Sequence, residues 1–433
     1  MVYFWFRRDL RLDDNIALYH ALKAHKQVQC VFIFDRNILD KLPYKDDARL
    51  SFVYLQIERL KKELKAMGSD LMVLVGRPVD CWKQILKEGD AIYFNKDYEP
   101  YALQRDGELA DYMAQINGKI FPFKDQVIFE EKEIMSQQHK PYTVYSPYAK
   151  KWMLEWAAKT FEIKSIRGME SHFYRHDSIS KLPGMDELGF TFKYSPYFEW
   201  SPNMETIQHY KERRDFPGIE DGTSKMGLHL RFGTISIRKW LNQVSGISET
   251  YVKELIWREF FMQILFHFPQ SAVRSFKPEY DRIAWRNDEV EFGKWCRGET
   301  GIPIVDAGMR ELNESGYMHN RVRMIVASFL CKNLLIHWSL GAHYFAGLLL
   351  DYEESSNIGN WQWAAGSGCD AAPYFRVFNP QLQAEKFDPH ALYIKKWCPE
   401  YDSLSYPNPI VDLKMSRQRA IEVYKKGLID ERA

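Results

Sequence analysis

The sequence lacks three features that would assign it to a familiar class. Its six cysteines include no Cys-x-x-Cys pair, and no His pair stands at zinc-finger spacing. No stretch reaches the ~18 uncharged apolar residues of a membrane span. The apolar run at Met1 to Phe6 is too short for a signal peptide before Arg7 begins the charged residues. We therefore expect reduced thiols, no metal site, no membrane association and a cytoplasmic protein.

The chain also has almost no net charge. Its 59 Lys and Arg residues against 58 Asp and Glu residues leave a formal charge of +1, so binding to nucleic acid would require a local basic patch. Its 433 residues are enough for two or three domains. Aromatic residues, in contrast, make up 15% of the chain. This content is high for core packing alone and indicates stacking chemistry.

The N-terminal part has the pattern of an α/β domain. The segment Ala48 to Met67 has apolar residues at helical spacing. Four short apolar runs predict buried parallel strands: Val2–Phe6, Val28–Phe34, Leu71–Val75 and Ala91–Phe94. We predict a Rossmann-like parallel sheet with flanking helices over residues 1–125. A Gly-x-Gly-x-x-Gly motif and a Walker-type lysine loop are both absent, which excludes a standard dinucleotide or triphosphate site there.

The remainder divides into a connector and a helical domain. Residues 126–205 are rich in proline and tyrosine and have few periodic stretches, which predicts an interdomain connector over a surface. Residues 206–433 predict an all-α C-terminal domain. Its helix-like segments are Lys225–Gln243, Glu249–Phe268, Val305–Leu312, Tyr317–His337, His343–Leu350 and Ala420–Lys426.

Polar clusters in the helical domain suggest binding chemistry. The turn from Asp221 to Gly227 has hydroxyls and a lysine before a helix, which suits a phosphate or an ordinary helix cap. Glu254, Trp257 and Arg258 share one helix face, as either a planar-ligand site or a surface ion pair beside a core tryptophan.

A further cluster lies near the end of the domain. Asn320, Arg323 and Met324 share a helix face, and Arg323 could pair with Asp351. Two tryptophans, at positions 361 and 363, follow in a run rich in amides and glycine.

These segments together resemble the cryptochrome and DNA photolyase family, and most closely its class I members that repair cyclobutane pyrimidine dimers. The resemblance runs from residue 1 to about residue 400. It is carried by Phe6–Arg11, Glu254–Phe260, Thr300–Ala307, Met318–Met324 and Asn357–Pro380.

The resemblance implies a bound flavin adenine dinucleotide (FAD) in the helical domain. The residues implied around its phosphates are Tyr210, Thr223, Ser224, Lys225, Met226 and Gly227, with Lys225 and Gly227 where relatives often have Arg and Ser. The residues implied along the flavin are Arg258, Asn320, Arg323, Asp351, Glu353 and Asn357. Asn357 would lie beside the flavin N5, and an amide, unlike a carboxylic acid, cannot deliver a proton to a flavin radical.

The family also implies an electron path and a lesion pocket. Trp361, Trp338 and Trp285 match its electron-transfer tryptophans. The dimer would be flipped out of the duplex and flanked by Trp257 and Trp363, with Glu254 and Met324 also in contact. We expect Glu254 to act either protonated or as a hydrogen-bond acceptor. The residues implied at the DNA backbone are Arg214, Arg321, Arg376, Gln383 and Lys386.

The predicted function is light-driven dimer repair in UV-damaged DNA by a monomeric enzyme. A second, antenna chromophore is expected without a definite identity. Folate is disfavoured because Ala102 and Val273-Arg274 replace a Glu and a Cys-Lys pair of folate-binding relatives. The main alternative is a blue-light photoreceptor cryptochrome without repair activity. A photolyase for the (6-4) lesion is less consistent, because Met318-His319 stands where those enzymes have a His pair.

Overall fold

A parallel five-stranded sheet organises the first of two compact units. The computed structural model describes residues 1–176 and 181–429. The first unit comprises Met1–Ile134, Trp152–Trp200 and Met226–Gly246, and the second comprises Met135–Lys151, Ser201–Lys225 and the chain from Ile247 onward. The strands are β1 (Val2–Phe6), β2 (Val28–Asp35), β3 (Leu71–Gly76), β4 (Ala91–Asn95) and β5 (Lys119–Phe123).

The sheet has the order β3-β2-β1-β4-β5. Val2 pairs with Val28 on one side and with Ala91 on the other, and every neighbouring pair of strands is parallel. All residues of β2 and β4 are buried, as expected for strands covered on both faces. The α/β fold predicted for the N-terminal part is therefore confirmed.

One strand was not predicted from the sequence. Strand β5 lies at the edge of the sheet, contains Pro122 and is only partly buried. A proline is tolerated in an edge strand because one side of that strand needs no ladder hydrogen bonds. Residues 120–123 are apolar, but a proline within such a run argues against a strand inside a sheet, so a search for buried strands passes over it.

Most of the remaining regular secondary structure of both units is helical. In chain order they are α1 (Ile16–Ala24), α2 (Arg36–Leu39), α3 (Ala48–Ala66), α4 (Pro78–Ile85), α5 (Pro100–Gln115), α6 (Tyr145–Ala158), α7 (Met204–Gln208), α8 (Tyr210–Arg213), α9 (Gly227–Phe232), α10 (Ile237–Val244), α11 (Glu249–His267), α12 (Glu289–Arg297), α13 (Pro303–Ser315), α14 (Asn320–Ser328), α15 (Trp338–Leu348), α16 (Glu354–Ala365), α17 (Pro380–Phe387), α18 (Leu392–Trp397) and α19 (Leu413–Ile429). The second unit is helical, as predicted.

Two predicted helices are interrupted. The segment Lys225–Gln243 forms α9 and α10, because Gly233 adopts φ 61° and ends α9. A side chain at Gly233 would approach the carbonyl oxygen of Arg8 to 2.2 Å. The segment Tyr317–His337 forms α14 followed by a π-helical turn at Phe329–Asn333.

The predicted connector is not confined to a surface. Ile166, Phe173, Leu188 and Phe190 are all buried in the core of the first unit. Their apolar side chains are isolated between polar residues, so they show no periodic pattern in the sequence. The domain limits at residues 125 and 205 stay a prediction, since the two compact units interleave along the chain.

The second unit has a large aromatic core. Its buried tryptophans are Trp295, Trp338 and Trp361, contributed by α12, α15 and α16. Within the described residues, none of the helices is long and apolar enough to span a bilayer. All six cysteines are free thiols.

Candidate active site

A cavity in the second unit brings together eight of the predicted site residues. The predicted residues in its wall are Asn320, Arg323, Met324, Asp351, Glu353, Asn357, Trp361 and Trp363. They come from the start of α14, from the segment after α15 and from α16.

Local structure explains why these side chains converge. His319 caps α14 by accepting the N–H of Arg321 on Nδ1, and the helix then begins at Asn320. Asn320, Arg323 and Met324 follow at spacings that place them on one helix face. On α16, Asn357 and Trp361 are separated by one helical turn and line the same cavity.

An ion pair anchors the polar side of the cavity. The Nη2 of Arg323 donates to both carboxylate oxygens of Asp351 at 3.1 and 3.0 Å, and its Nε donates to the Met318 carbonyl at 2.7 Å. Burial opposes the charged guanidinium, but the attraction of Asp351 prevails and raises the pKa of Arg323. The predicted pairing of Arg323 with Asp351 is therefore present.

A second ion pair links the cavity to α11. The Nε of Arg258 donates to the Glu353 carboxylate at 3.1 Å. Nearby on α16, the Nδ2 of Asn357 donates to the Ala342 carbonyl at 2.9 Å. That bond orients the Asn357 amide so that its Oδ1 remains as an acceptor for an N–H group.

The predicted lesion residues of α11 have partners that the sequence did not reveal. Tyr145 stacks face to face on Trp257, with ring centroids 3.6 Å apart and planes 4° from parallel. The Tyr145 hydroxyl donates to the Lys253 carbonyl at 2.7 Å. Glu254 accepts a hydrogen bond from the Arg214 guanidinium. The pair joins one residue predicted for the lesion to one predicted for the DNA backbone.

The predicted phosphate-binding turn is held by tyrosines. Thr223 Oγ1 lies 3.3 Å from the Tyr317 hydroxyl, and the Tyr251 hydroxyl donates to Ser224 Oγ at 2.9 Å. Tyr210 contacts the Tyr251 ring edge-on at 5.0 Å.

The turn continues through Lys225, which adopts the left-handed conformation at φ 51°, and burial lowers its pKa. Met226 and Gly227 come next in the chain and belong to the first unit. Gly227 is the first residue of α9.

The three predicted electron-transfer tryptophans all lie in the second unit. Trp285 contacts the His337 ring at 5.2 Å, and His337 contacts Trp338 at 5.4 Å. Trp361 packs against α15, where a side chain at Gly341 would lie 2.2 Å from its ring. Gly341 is one helical turn from Trp338. The close approach therefore joins the segment carrying Trp338 to the one carrying Trp361.

A basic cleft in the same unit contains four of the five predicted DNA residues. Arg321, Arg376, Gln383 and Lys386 line it, together with Lys211, Glu212, Asp215, Phe216, Phe378 and Phe387. Arg321 donates to Asp215 at 2.8 Å and lies 4.3 Å over the Phe387 ring. Arg214 is not in the cleft wall but lies 3.9 Å from the Asp215 carboxylate.

Comparison with known proteins assigns these features to one family. Residues 251–405 match the family model described as the FAD binding domain of DNA photolyase, and residues 2–164 match the model described as DNA photolyase. The helical unit thus carries an FAD-binding domain, which confirms the predicted cofactor. The chain belongs to the DNA photolyase family, and the family prediction is confirmed as well.

Individual relatives cover nearly the whole chain. A deoxyribodipyrimidine photo-lyase of a Synechococcus species is 34% identical over 98% of this chain and 96% of its own. The archaeal photolyase of Sulfolobus tokodaii has a TM-score of 0.86 at 34% identity, covering 98% and 99% of the two chains. A Synechocystis cryptochrome has a TM-score of 0.81 at 25% identity, covering 98% and 99%.

Proposed function

We propose that this chain is a deoxyribodipyrimidine photo-lyase, which reverses cyclobutane pyrimidine dimers in DNA with the energy of light. When bound, reduced FAD supplies one photoexcited electron and takes it back, so cleavage of the two cyclobutane bonds involves no net redox change. The observation that carries the proposal is the cavity that unites Arg323, Asp351 and Asn357 with Met324 and Trp363.

The donors of the cavity fit a flavin. Asn320, Arg323, Asp351 and Asn357 offer amide, guanidinium and carboxylate groups for a planar ring with alternating donors and acceptors. Asn357 would lie beside N5 with its amide held by Ala342. Arg258 and Glu353, paired with each other, would support the same ring system.

The phosphates of the cofactor would be held by the turn before α9. Thr223 and Ser224 supply hydroxyl groups, and Lys225 supplies a charge. Tyr210 would complete this part of the site within the second unit. Met226 and Gly227 remain predicted phosphate residues on the basis of the family resemblance.

The lesion would be recognised by stacking and by one hydrogen bond. Trp257 and Trp363 would flank the flipped dimer, since base stacking on aromatic rings is worth about 1–3 kcal/mol per base. Met324 would contact its apolar side. Because Glu254 accepts from Arg214, the contact supports the acceptor role that was one of two alternatives for Glu254.

The DNA backbone would follow the basic cleft. Arg321, Arg376 and Lys386 would meet phosphates, Gln383 would add a neutral donor, and Arg214 would act from the neighbouring position. Such contacts read the backbone rather than base edges. The basic side chains of this cleft would therefore attract DNA although the whole chain has almost no net charge.

Trp361, Trp338 and Trp285 would carry electrons toward oxidised cofactor from the surrounding solution. Their positions support this role because His337 contacts both Trp285 and Trp338. The route would serve activation of the cofactor rather than the repair step. Variants at these three tryptophans should therefore slow activation of the cofactor without slowing the repair step.

The photoreceptor alternative has weaker support. A Synechocystis cryptochrome shares the fold at 25% identity, whereas relatives called deoxyribodipyrimidine photo-lyase reach 34%. Fold alone does not distinguish the two functions. The intact set of Glu254, Trp257, Met324, Asn357 and Trp363 supports repair.

We also propose that the chain carries a second chromophore. The Sulfolobus tokodaii relative is described with two FAD molecules and a novel light-harvesting cofactor. Ala102 is buried on α5 and offers no carboxylate for folate. Chromophore extraction followed by mass spectrometry would identify the antenna.

Location and oligomeric state are proposals too. The six free cysteines support a cytoplasmic protein, since disulfides are rare in that compartment. A monomer is proposed from the sequence alone. Sedimentation analysis of the purified protein would test it.

The central experiment illuminates reduced protein with a dimer-containing oligonucleotide. Absorbance near the thymine band should return in the light and not in the dark. The variant Trp363→Ala should bind and repair the dimer less well, while the exposed substitution Leu404→Ala serves as a matched control. Protein that binds FAD but shows no light-dependent reversal would reject repair and favour the photoreceptor.

A further inference from the structure

We propose that a second cleft in the helical unit binds a backbone phosphate of the same DNA strand, beyond the basic cleft described above. This inference rests on the proposed function and extends the DNA footprint. The cleft lies where α17 and α19 begin, and its wall includes Asn333, Phe378, Gln381, Asp412, Lys414 and Arg417. None of these residues belongs to the predicted DNA-binding set.

The charges of this cleft favour an anion. Lys414 and Arg417 are exposed and three residues apart, so they project from one face of α19. Asp412 is the acid in the wall, and its carboxylate accepts the N–H of Met415 at 2.7 Å. That carboxylate is thus engaged as the cap of α19, while the two basic groups extend into solvent.

Continuity with the basic cleft identifies the occupant as DNA. Phe378 lines both clefts. Helix α17 contributes Gln381 to one cleft and Gln383 and Lys386 to the other. A helix of this length spans ~12 Å, which a DNA strand covers in about three or four nucleotides. One strand could therefore contact both clefts.

The test compares DNA lengths in a double variant, Lys414→Gln with Arg417→Gln. The matched control is Lys425→Gln with Lys426→Gln, which removes the same charge from exposed positions at the other end of α19. Full-length protein is titrated with dimer-containing single strands. One strand has a single nucleotide on each side of the dimer, and two others are extended by about eight nucleotides on the 5′ or the 3′ side only.

We expect the Lys414/Arg417 variant to lose affinity for one of the two extended strands. Its plot of log affinity against log salt should be shallower by about 0.7, since one phosphate contact contributes about 0.7 on a single strand. Affinity for the short strand should be unchanged, and the control variant should resemble unmodified protein throughout. Such a length- and side-dependent loss would support the proposal.

Three outcomes would overturn it: no loss with either extension, an equal loss with the short strand, or an equal loss in the control variant. If the short strand is bound but never repaired in the light, the proposed function fails. The comparison of strand lengths still decides whether the second cleft binds DNA. The two failures are therefore distinguishable.

Discussion

Tyr145 lies flat on the indole of Trp257, with ring centroids 3.6 Å apart, and it hydrogen-bonds the Lys253 carbonyl through its hydroxyl. One face of the tryptophan proposed to flank the lesion is therefore already covered by protein. The tyrosine fixes the plane of the indole. We regard Tyr145 as a positioning residue for Trp257.

The first prediction follows from that stack. Tyr145→Ala should weaken dimer binding about two- to tenfold, because aromatic pairs contribute about 0.5–1.5 kcal/mol beyond area burial. Tyr145→Phe keeps the ring and should retain affinity. Fluorescence titration with a dimer-containing oligonucleotide measures both variants. Equal loss in the two variants would show that the hydroxyl, rather than the stack, is responsible.

The second prediction concerns the contact of Gly341 with Trp361. A methyl group at Gly341 would overlap the indole at 2.2 Å, and overpacking of this kind usually costs about 1–3 kcal/mol of unfolding free energy. Gly341→Ala should therefore lower the melting temperature and slow photoreduction of oxidised flavin, while repair by chemically reduced enzyme is affected less.

The exposed position His343 on the same helix provides the control, as His343→Ala. That variant should keep both the melting temperature and the photoreduction rate. A Gly341→Ala protein with a normal photoreduction rate would refute a role for this contact in electron transfer.

The third prediction addresses cofactor retention. Asp351→Asn removes the charge that holds Arg323, and hydrogen bonds to charged groups are worth about 1.5–3 kcal/mol. FAD affinity should fall roughly tenfold or more, as measured by equilibrium dialysis. Glu400→Gln, which breaks the half-exposed pair with Arg310, is the matched control and should retain FAD. Similar losses in both variants would point to general destabilisation.

The fourth prediction is a pH dependence of stability. Burial and the positive charge of Arg323 lower the pKa of His319 to about 3 in the folded protein. In the unfolded chain the pKa of a histidine side chain is about 6.5. Below that pH the unfolded state takes up a proton that the folded state does not, so the free energy of unfolding falls as pH falls. The contribution of His319 to the free energy of unfolding is fully present above about pH 6.5 and is lost progressively toward pH 3.

His319→Asn should reduce this dependence, because asparagine can also cap α14 but does not titrate. Thermal melts between pH 7.5 and 5 would measure it, with a larger decrease expected in unmodified protein than in the variant. Parallel melting curves for the two proteins would contradict the assignment.

Much of the fold was predictable because its strands are continuous apolar runs. Val28–Phe34 and Ala91–Phe94 were recognised as buried strands, and both are buried throughout. The edge strand with Pro122 was missed because a proline within an apolar run argues against a strand inside a sheet. The break at Gly233 was missed because its cause is a close approach to the Arg8 carbonyl, which is distant in sequence.

The sequence by itself determined the residue types of the site, since helical spacing places Asn320, Arg323 and Met324 on one face and the motifs match a family. Only the tertiary structure decided the partners: Tyr145 on Trp257, Arg214 on Glu254, and Gly341 against Trp361. The physical reason is the separation along the chain over which a sequence pattern can report contacts. Periodicity reports contacts between residues one helical turn apart, whereas these partners meet only when separate helices pack, and no spacing along the chain encodes that meeting.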